Sequence, residues 1–230
     1  MNVASCDGCE GCQRLRYLAL DGIANTHVAI EDKPGAPLKL LSTPLTVEGW
    51  FMLDPGDDRI DIARRGPANG GWRLGLFPNQ VMASVYGQFD QVSAGNFADG
   101  KWRHLAWTYD QTSSRIYVNG TLLSSEANTL PVENASDPVM IGVTRISTGE
   151  IVDYTAGNLD EVRVSSTIRY TTNFTPVRRH APDASTVGLW HFDEGQGSGV
   201  LDASSNASGS TLFGTVAWGV DDGFGGLFCD

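Results

Sequence analysis

The side chains best equipped for chemistry in this chain are four cysteines, a scatter of carboxylates, and a set of aromatic and planar polar residues. Cys6, Cys9 and Cys12 form a C-x-x-C-x-x-C run in a Gly-rich leader, and Cys229 stands one residue from the end of the 230-residue chain. Thiolates at that spacing can converge on one soft metal ion. The fourth ligand would then have to be the distant Cys229, and no His accompanies the run. An even count confined to the two ends reads more simply as disulfides, one of which would join Cys229 to the leader and close the chain into a ring. That reading favours an oxidising compartment.

A sugar-binding surface needs aromatic faces to stack on the apolar side of a ring and planar polar groups to meet hydroxyls. Trp72, Arg73, Tyr86, Gln88, Phe89 and Tyr154 meet this description and fall in or near turns between strand patterns. Trp50, Trp102, Trp107 and Trp190 sit inside strand patterns and are expected in the core.

Spacings that would assemble a catalytic set are absent. A retaining glycosidase on a strand would carry an E-x-D-x-x-E run, projecting its acids together, and none is present. Glu150 and Asp153 fall on opposite faces of a strand, and the adjacent Asp160 and Glu161 also diverge. G-x-S-x-G, H-E-x-x-H and phosphate-cradling glycine loops are missing as well. His27, His104, His180 and His191 are isolated in sequence; His104 and His191 lie in strand motifs, where a hydrogen-bonded structural role is expected. The expectation is a binding protein and not an enzyme.

Charge narrows the partners. The formal net charge is -11, and from Ala181 to Asp230 there are seven carboxylates and no Lys or Arg. Nucleic acids and anionic membranes are held by clustered cations, so neither is expected as a partner. The one basic cluster, Arg169, Arg178, Arg179 and His180, reads as a solvated loop. No apolar run is long enough to span a bilayer. The leader has no secretory h-region, which implies a removed signal or a piece of a longer protein. N-x-S/T triplets at Asn119, Asn134, Asn173 and Asn206 would be glycosylated only in a eukaryotic secretory host.

Strands must position these residues. The 27 Gly and 10 Pro are scattered without a period, while the chain is 41% hydrophobic, which suits many turns around a packed interior. Trp102 to Tyr109 alternates with aromatics on both faces, as in a strand covered on both sides. Arg115 to Leu123 is two β-prone segments around Asn119-Gly120, a dipeptide that tolerates the positive φ angles of a type I′ hairpin turn. Further strands are expected at Tyr17–Leu20, His27–Ile30, Leu45–Leu53, Arg59–Arg64, Trp72–Phe77, Val81–Tyr86, Val139–Val143, Asn158–Ser165, Val187–Phe192 and Thr211–Trp218. Many short strands without amphipathic helices make an all-β, two-sheet antiparallel sandwich. Residues 1-14 form the Cys/Gly-rich leader and 15-230 one domain, with 185-230 packing onto the same sandwich.

Five segments in order carry a family resemblance: Leu20-Asp21-Gly22, Leu45-Thr-Val-Glu-Gly-Trp-Phe51, Asp99-Gly-Lys-Trp-Arg-His-Leu-Ala-Trp-Thr-Tyr-Asp110, Ile116-Tyr-Val-Asn-Gly120 and Gly157-Asn-Leu-Asp-Glu-Val-Arg-Val164. They resemble the "FDG", "tiEaWv", "dGkWhHvAvtyD", "lYvNG" and "GxIDEvRi" pattern of laminin-G-like domains. Val187 to Gly197, with Asp202 and Trp218, resembles a "WxFDEGsG" stretch that often flanks them. Leu20 replaces the more usual Phe.

The resemblance implies a concanavalin A-like jelly roll, an architecture shared by lectins, adhesion modules and accessory domains of glycosidases, so the ligand has to come from the site. On a regular strand Asp160, Val162 and Val164 share one face while Glu161 and Arg163 share the other, which would point Asp160 inward at the rim of the sandwich. Relatives of this fold use such carboxylates to hold Ca²⁺, and Asp21 is the natural companion. The alternative is that both cap loop amides while Glu48 pairs with Arg163. Asp193, Glu194 and Asp202 read as turn chemistry. The resulting expectation is an extracellular recognition module for a glycan, with calcium a candidate cofactor, or else for a cell-surface protein.

Overall fold

The computed structural model describes residues 12–14, 16–23, 25–31, 38, 44–65, 70–132, 137–145, 150–152, 154–220 and 227–229. Among them there is no helix. One sheet has eight strands, in the order β11 (Thr121–Ala127), β10 (Ser113–Val118), β9 (Arg103–Tyr109), β4 (Leu45–Met52), β15 (Ala156–Ser165), β2 (Arg16–Asp21) and β18 (Ala217–Val220), with β16 (Thr186–Trp190) also paired to β15. The other has seven, in the order β17 (Ser210–Phe213), β3 (His27–Ile30), β12 (Val139–Ile141), β5 (Ile60–Arg65), β6 (Gly71–Phe77), β7 (Gln80–Val85) and β8 (Phe89–Ala94). Two short ribbons complete the set: β1 (Cys12–Arg14) with β19 (Leu227–Cys229), and β13 (Thr144–Arg145) with β14 (Ile151–Val152). Every named pair is antiparallel, which makes the two-sheet jelly-roll sandwich that the alternation predicts.

Period-two patterning builds the core. Leu45, Val47 and Phe51 of β4 and Leu105, Trp107 and Tyr109 of β9 face Ile60 and Ile62 of β5 and Trp72, Leu74 and Leu76 of β6, all buried. Each such side chain is worth about 1.5–3 kcal/mol when taken from water. Trp72, expected at the surface beside a turn, is instead a core residue: second in β6, it points into the sandwich and is 1% exposed. The C-terminal part of the chain is divided between the sheets, with β16 and β18 in one and β17 in the other.

Two local features place the functional side chains. At the hairpin between β10 and β11, Asn119 and Gly120 have φ of 49° and 74°, as a type I′ turn demands. In β15 the pairing with β4 shifts register between Asp160 and Arg163, and Glu161 takes a φ of 51°. This bulge breaks the regular alternation. Asp160 lies opposite Trp50 and Arg163 opposite Glu48, so Asp160, which strict alternation would turn inward, faces outward together with Arg163 while Val162 and Val164 remain in the core.

Candidate functional site

The outward face of the eight-stranded sheet is not open. Residues 166–185, which link β15 to β16, run across it as a strap. Thr46 Oγ1 donates to the Thr167 carbonyl at 2.6 Å, the Trp50 indole to the Val177 carbonyl at 3.1 Å, and the Tyr117 hydroxyl to the Tyr170 carbonyl at 3.2 Å. Tyr170 stacks on Phe174 with ring centroids 3.5 Å apart, and Phe174 N donates to the Gly120 carbonyl at 2.9 Å. A Cβ on Gly120 would come within 1.9 Å of the Phe174 oxygen, so the glycine serves both the turn and the strap seated on it.

The strap's basic residues are consumed beneath and beside it, which corrects their reading as a solvated loop. Arg169 pairs with Asp183 through two bonds at 2.8 and 2.9 Å, Arg178 with Asp160, and Arg179 with Asp193 at 2.5 Å and Glu161 at 3.3 Å. The Arg178 guanidinium also stands 5.7 Å from the Trp50 ring centre. Glu161 Oε2 accepts from the His180 backbone N–H at 2.7 Å, and its Oε1 meets His191 Nδ1 at 2.7 Å. These bonds help to hold in place an acid whose left-handed backbone costs about 1 kcal/mol or more.

At the centre lies Glu48, fully buried. Its Oε1 accepts from Arg163 Nε at 2.8 Å, with Arg163 Nη2 2.7 Å away as an ion pair, and its Oε2 accepts the Tyr170 hydroxyl at 2.8 Å. His104 Nε2 lies 3.3 Å from Oε2 and His180 Nε2 lies 3.9 Å from it, with the two imidazole centres 5.6 Å apart. Isolated in sequence, these histidines meet in space. Burial pushes the Glu48 carboxyl up, but the contact with His104, the neighbouring imidazoles and Arg163 outweigh it and hold it at about 2. Burial pushes His180 down, Glu48 pulls it back, and Arg163, His104 and Arg169 add to the first effect, leaving it at about 3.

Glu48, His104 and His180 offer one carboxylate oxygen and two ring nitrogens within 4.8 Å of one another, a donor set that suits a divalent metal. The surroundings do not fit one. A single anion would face the added dication together with Arg163 at 2.7 Å and Arg169 at 3.8 Å, an excess of buried positive charge that is costly. Neither Nδ1 has a hydrogen-bond partner among the described residues to orient it. The cluster is a polar clamp that fastens the strap to the sheet.

The other sequence-predicted residues divide. Tyr86 is 7% exposed, Phe89 packs against the core, and the Gln88 amide donates to the Pro131 carbonyl at 2.9 Å. Arg73 and Tyr154 are half-buried at the surface. Asp21 is exposed and its Oδ1 accepts from Ile23 N at 3.0 Å, a loop-amide cap. It lies opposite Ala156, four residues along β15 from Asp160, a separation of about 13 Å at strand rise. Two aspartates so placed cannot share one ion with ligand distances of about 2.3–2.6 Å. Burial pushes the Asp160 carboxyl well up despite the pull of Arg178. Asp202 caps the amides of Leu189, Ser204 and Ser208, and Glu194 that of Leu201. Cys6 and Cys9 lie outside the described residues.

Sequence reasoning missed a second cluster, on the outward face of the seven-stranded sheet. Arg73 grips the buried Asp61 through Nε and Nη2, both at 2.7 Å. The guanidiniums of Arg73 and Arg59 stand 5.1 and 5.4 Å from the centre of the half-buried Phe77 ring. Asp61 and Phe77 fill the space that a side chain at position 75 would need, since a Cβ on Gly75 would lie 2.4 Å from Asp61 Oδ1 and 2.9 Å from the Phe77 ring. Register was the available signal: Arg73 is diagonal to Asp61 across β5 and β6.

The family model of the concanavalin A-like lectin/glucanases superfamily, in its laminin-G form, matches residues 21–171. No curated protein matches in sequence. A proposed carbohydrate-binding protein from Bacteroides ovatus is similar in structure, with 18% identity, a TM-score of 0.70, and 91% of this chain and 61% of that one covered. A heptameric pentraxin of Limulus polyphemus is similar at 12% identity and a TM-score of 0.59, covering 91% of this chain and 96% of its own. A sialidase carbohydrate-binding module of Ruminococcus gnavus, bound to α2,3-sialyllactose, is similar at 12% identity and 0.53, covering 68% and 94%. At these identities the likeness is one of fold.

Proposed function

We propose that this chain, which belongs to the concanavalin A-like lectin/glucanases superfamily, is a non-catalytic extracellular glycan-binding module that uses the outward face of its seven-stranded sheet. The observation that carries the reading is the strap: it covers the opposite sheet and uses the carbonyls, cations and aromatics that could otherwise meet a ligand there. The seven-stranded sheet instead presents Phe77, Arg73 and Met82, with Arg59 just before β5 beside the Phe77 ring and Asp90 and Val92 exposed beyond them. An aromatic ring flanked by guanidiniums braced by carboxylates, Arg73 by Asp61 and Arg59 by Asp58, suits a pyranose, whose apolar face stacks while its hydroxyls reach the outer edges of those paired groups. Solved relatives in fold bind sialyllactose or are proposed to bind carbohydrate, which supports the ligand class.

A glycan array read with and without chelator tests this. Binding to a defined glycan that Phe77→Ala abolishes, with circular dichroism and Tm unchanged, is the expected result, and loss with chelator would add calcium at the contact. Binding to no glycan, with capture of a cell-surface protein instead, would replace the glycan by a protein partner. Turnover of any glycan would overturn the non-catalytic reading.

A further inference from the structure

We propose that Cys12 and Cys229 form a disulfide that ties β1 to β19. β1 and β19 pair antiparallel with Cys12 directly opposite Cys229, Gln13 opposite Phe228 and Arg14 opposite Leu227. Directly opposed residues of such a pair hold their Cα atoms about 4.5–5.5 Å apart, inside the ~4.4–6.8 Å that a disulfide spans. The pairing selects Cys12 from the three cysteines of the leader.

The surrounding topology sets β1 and β19 side by side. β2 and β18 are neighbours in the eight-stranded sheet, with Arg16 opposite Val220, so the chain on either side leaves that sheet in adjacent positions. The β1–β19 ribbon has three residues a side and forms a sheet of its own. Isolated two-stranded ribbons are marginal in water, and a crosslink across this one supplies the constraint that its short ladder lacks. Because the loop closed by the bond is nearly the whole chain, the entropy it removes from the unfolded state is near the upper end of what a single crosslink achieves.

The oxidant is a small disulfide such as oxidised glutathione. One cysteine thiolate attacks it, forming a mixed disulfide and releasing one glutathione thiolate; the second cysteine thiolate then attacks the mixed disulfide at the cysteine sulfur and releases the other. The two cysteines lose two electrons, the glutathione disulfide gains them, and the two cysteine protons end on the released thiols. This inference does not depend on the glycan reading.

The test uses the full chain carrying Cys6→Ser and Cys9→Ser, so that thiol exchange within the leader cannot blur the result. Trypsin cuts after Arg14 and after Arg179, and no Lys or Arg follows to Asp230. After equilibration with oxidised glutathione, the non-reducing digest should contain residues 1–14 linked to residues 180–230, no free thiol should titrate, and reduction should lower the Tm by roughly 5–15 °C. A Cys12→Ser, Cys229→Ser control should show one Tm under both conditions. Two free thiols on the folded, oxidised chain, a disulfide-linked dimer, or wild-type protein that retains one zinc with its thiols reduced would each overturn the assignment.

Discussion

Glu48 and Arg163 lie directly opposite each other on β4 and β15, both buried, with Arg163 Nε donating to one carboxylate oxygen at 2.8 Å and Nη2 2.7 Å from the same oxygen. The other oxygen holds the Tyr170 hydroxyl of the strap at 2.8 Å. The same acid thus joins two strands of the sheet and the segment that covers them. Removing one partner of such a pair leaves the other charge buried and alone, so Glu48→Gln should destabilise the fold by about 3–5 kcal/mol. Urea denaturation measures the loss directly, and a change below ~1 kcal/mol would mean that the strap is fastened elsewhere.

Stability should fall on acidification from about pH 6.5. The unfolded chain binds a proton on His180 near the ordinary imidazole value of 6.5, whereas the folded chain refuses it until about 3. Between those values the unfolded state carries the extra proton, and stability drops by up to about 1.4 kcal/mol per pH unit. His27, also pushed down by burial, acts in the same sense. Glu48, whose pKa falls from 4.5 to about 2, adds a loss of the same sign below pH 4.5. Thermal denaturation from pH 7 to pH 4.5 should show a clearly flatter dependence in His180→Gln than in the parent, and equal slopes would remove His180 from the account.

Gly120→Ala should loosen the strap as well as strain the turn. The positive φ alone costs an alanine about 1–2 kcal/mol, and its methyl would meet the Phe174 carbonyl. Hydrogen exchange should then accelerate at Phe174 and its neighbours. Acceleration confined to Asn119 and Thr121 would show that the strap does not depend on this seat.

Trp72 and Phe77 should separate packing from recognition. Trp72→Ala removes a ring from the core and should cost about 3–5 kcal/mol. Phe77→Ala, at the surface, should cost far less. Chemical denaturation of both variants checks the contrast, and similar losses would place Phe77 in the structural frame.

Much of this frame could be read along the chain. Asn119-Gly120 announced its turn because few other dipeptides accept two positive φ angles in succession. His27–Ile30 and Trp72–Phe77 were recognisable because their inward positions are uniformly apolar. β8 was not, because its second inward position is Gln91, a polar residue made tolerable by Ser114 and Ser124 on the facing sheet, with bonds at 3.3 and 2.9 Å. Thr211–Trp218, expected as one strand, is two strands in different sheets, broken at Gly214 with a φ of 74°. Asp160 was expected to face inward by strict alternation, and a one-residue bulge at Glu161 reversed it. No residue type announces such a bulge, since Glu is ordinarily disfavoured at positive φ.

The candidate site was less legible than the fold because its parts are distant in sequence. Glu48, His104, Arg163 and His180 meet only when β4, β9, β15 and the strap are superposed. The basic residues of the strap resemble a solvated loop until their partners Asp160, Asp183 and Asp193 are located in space. Asp61 carries no motif, and its pairing with Arg73 depends on the register of β5 against β6.

Chemical-shift mapping by NMR with a glycan selected from the array tests the central claim most directly. Titration should move the amides of Arg59, Arg73, Phe77 and Met82 on the seven-stranded sheet and leave Trp50, Tyr117 and Val177 where they are. Shifts concentrated on Trp50, Tyr117 and the strap, with the Phe77 neighbourhood unmoved, would contradict it.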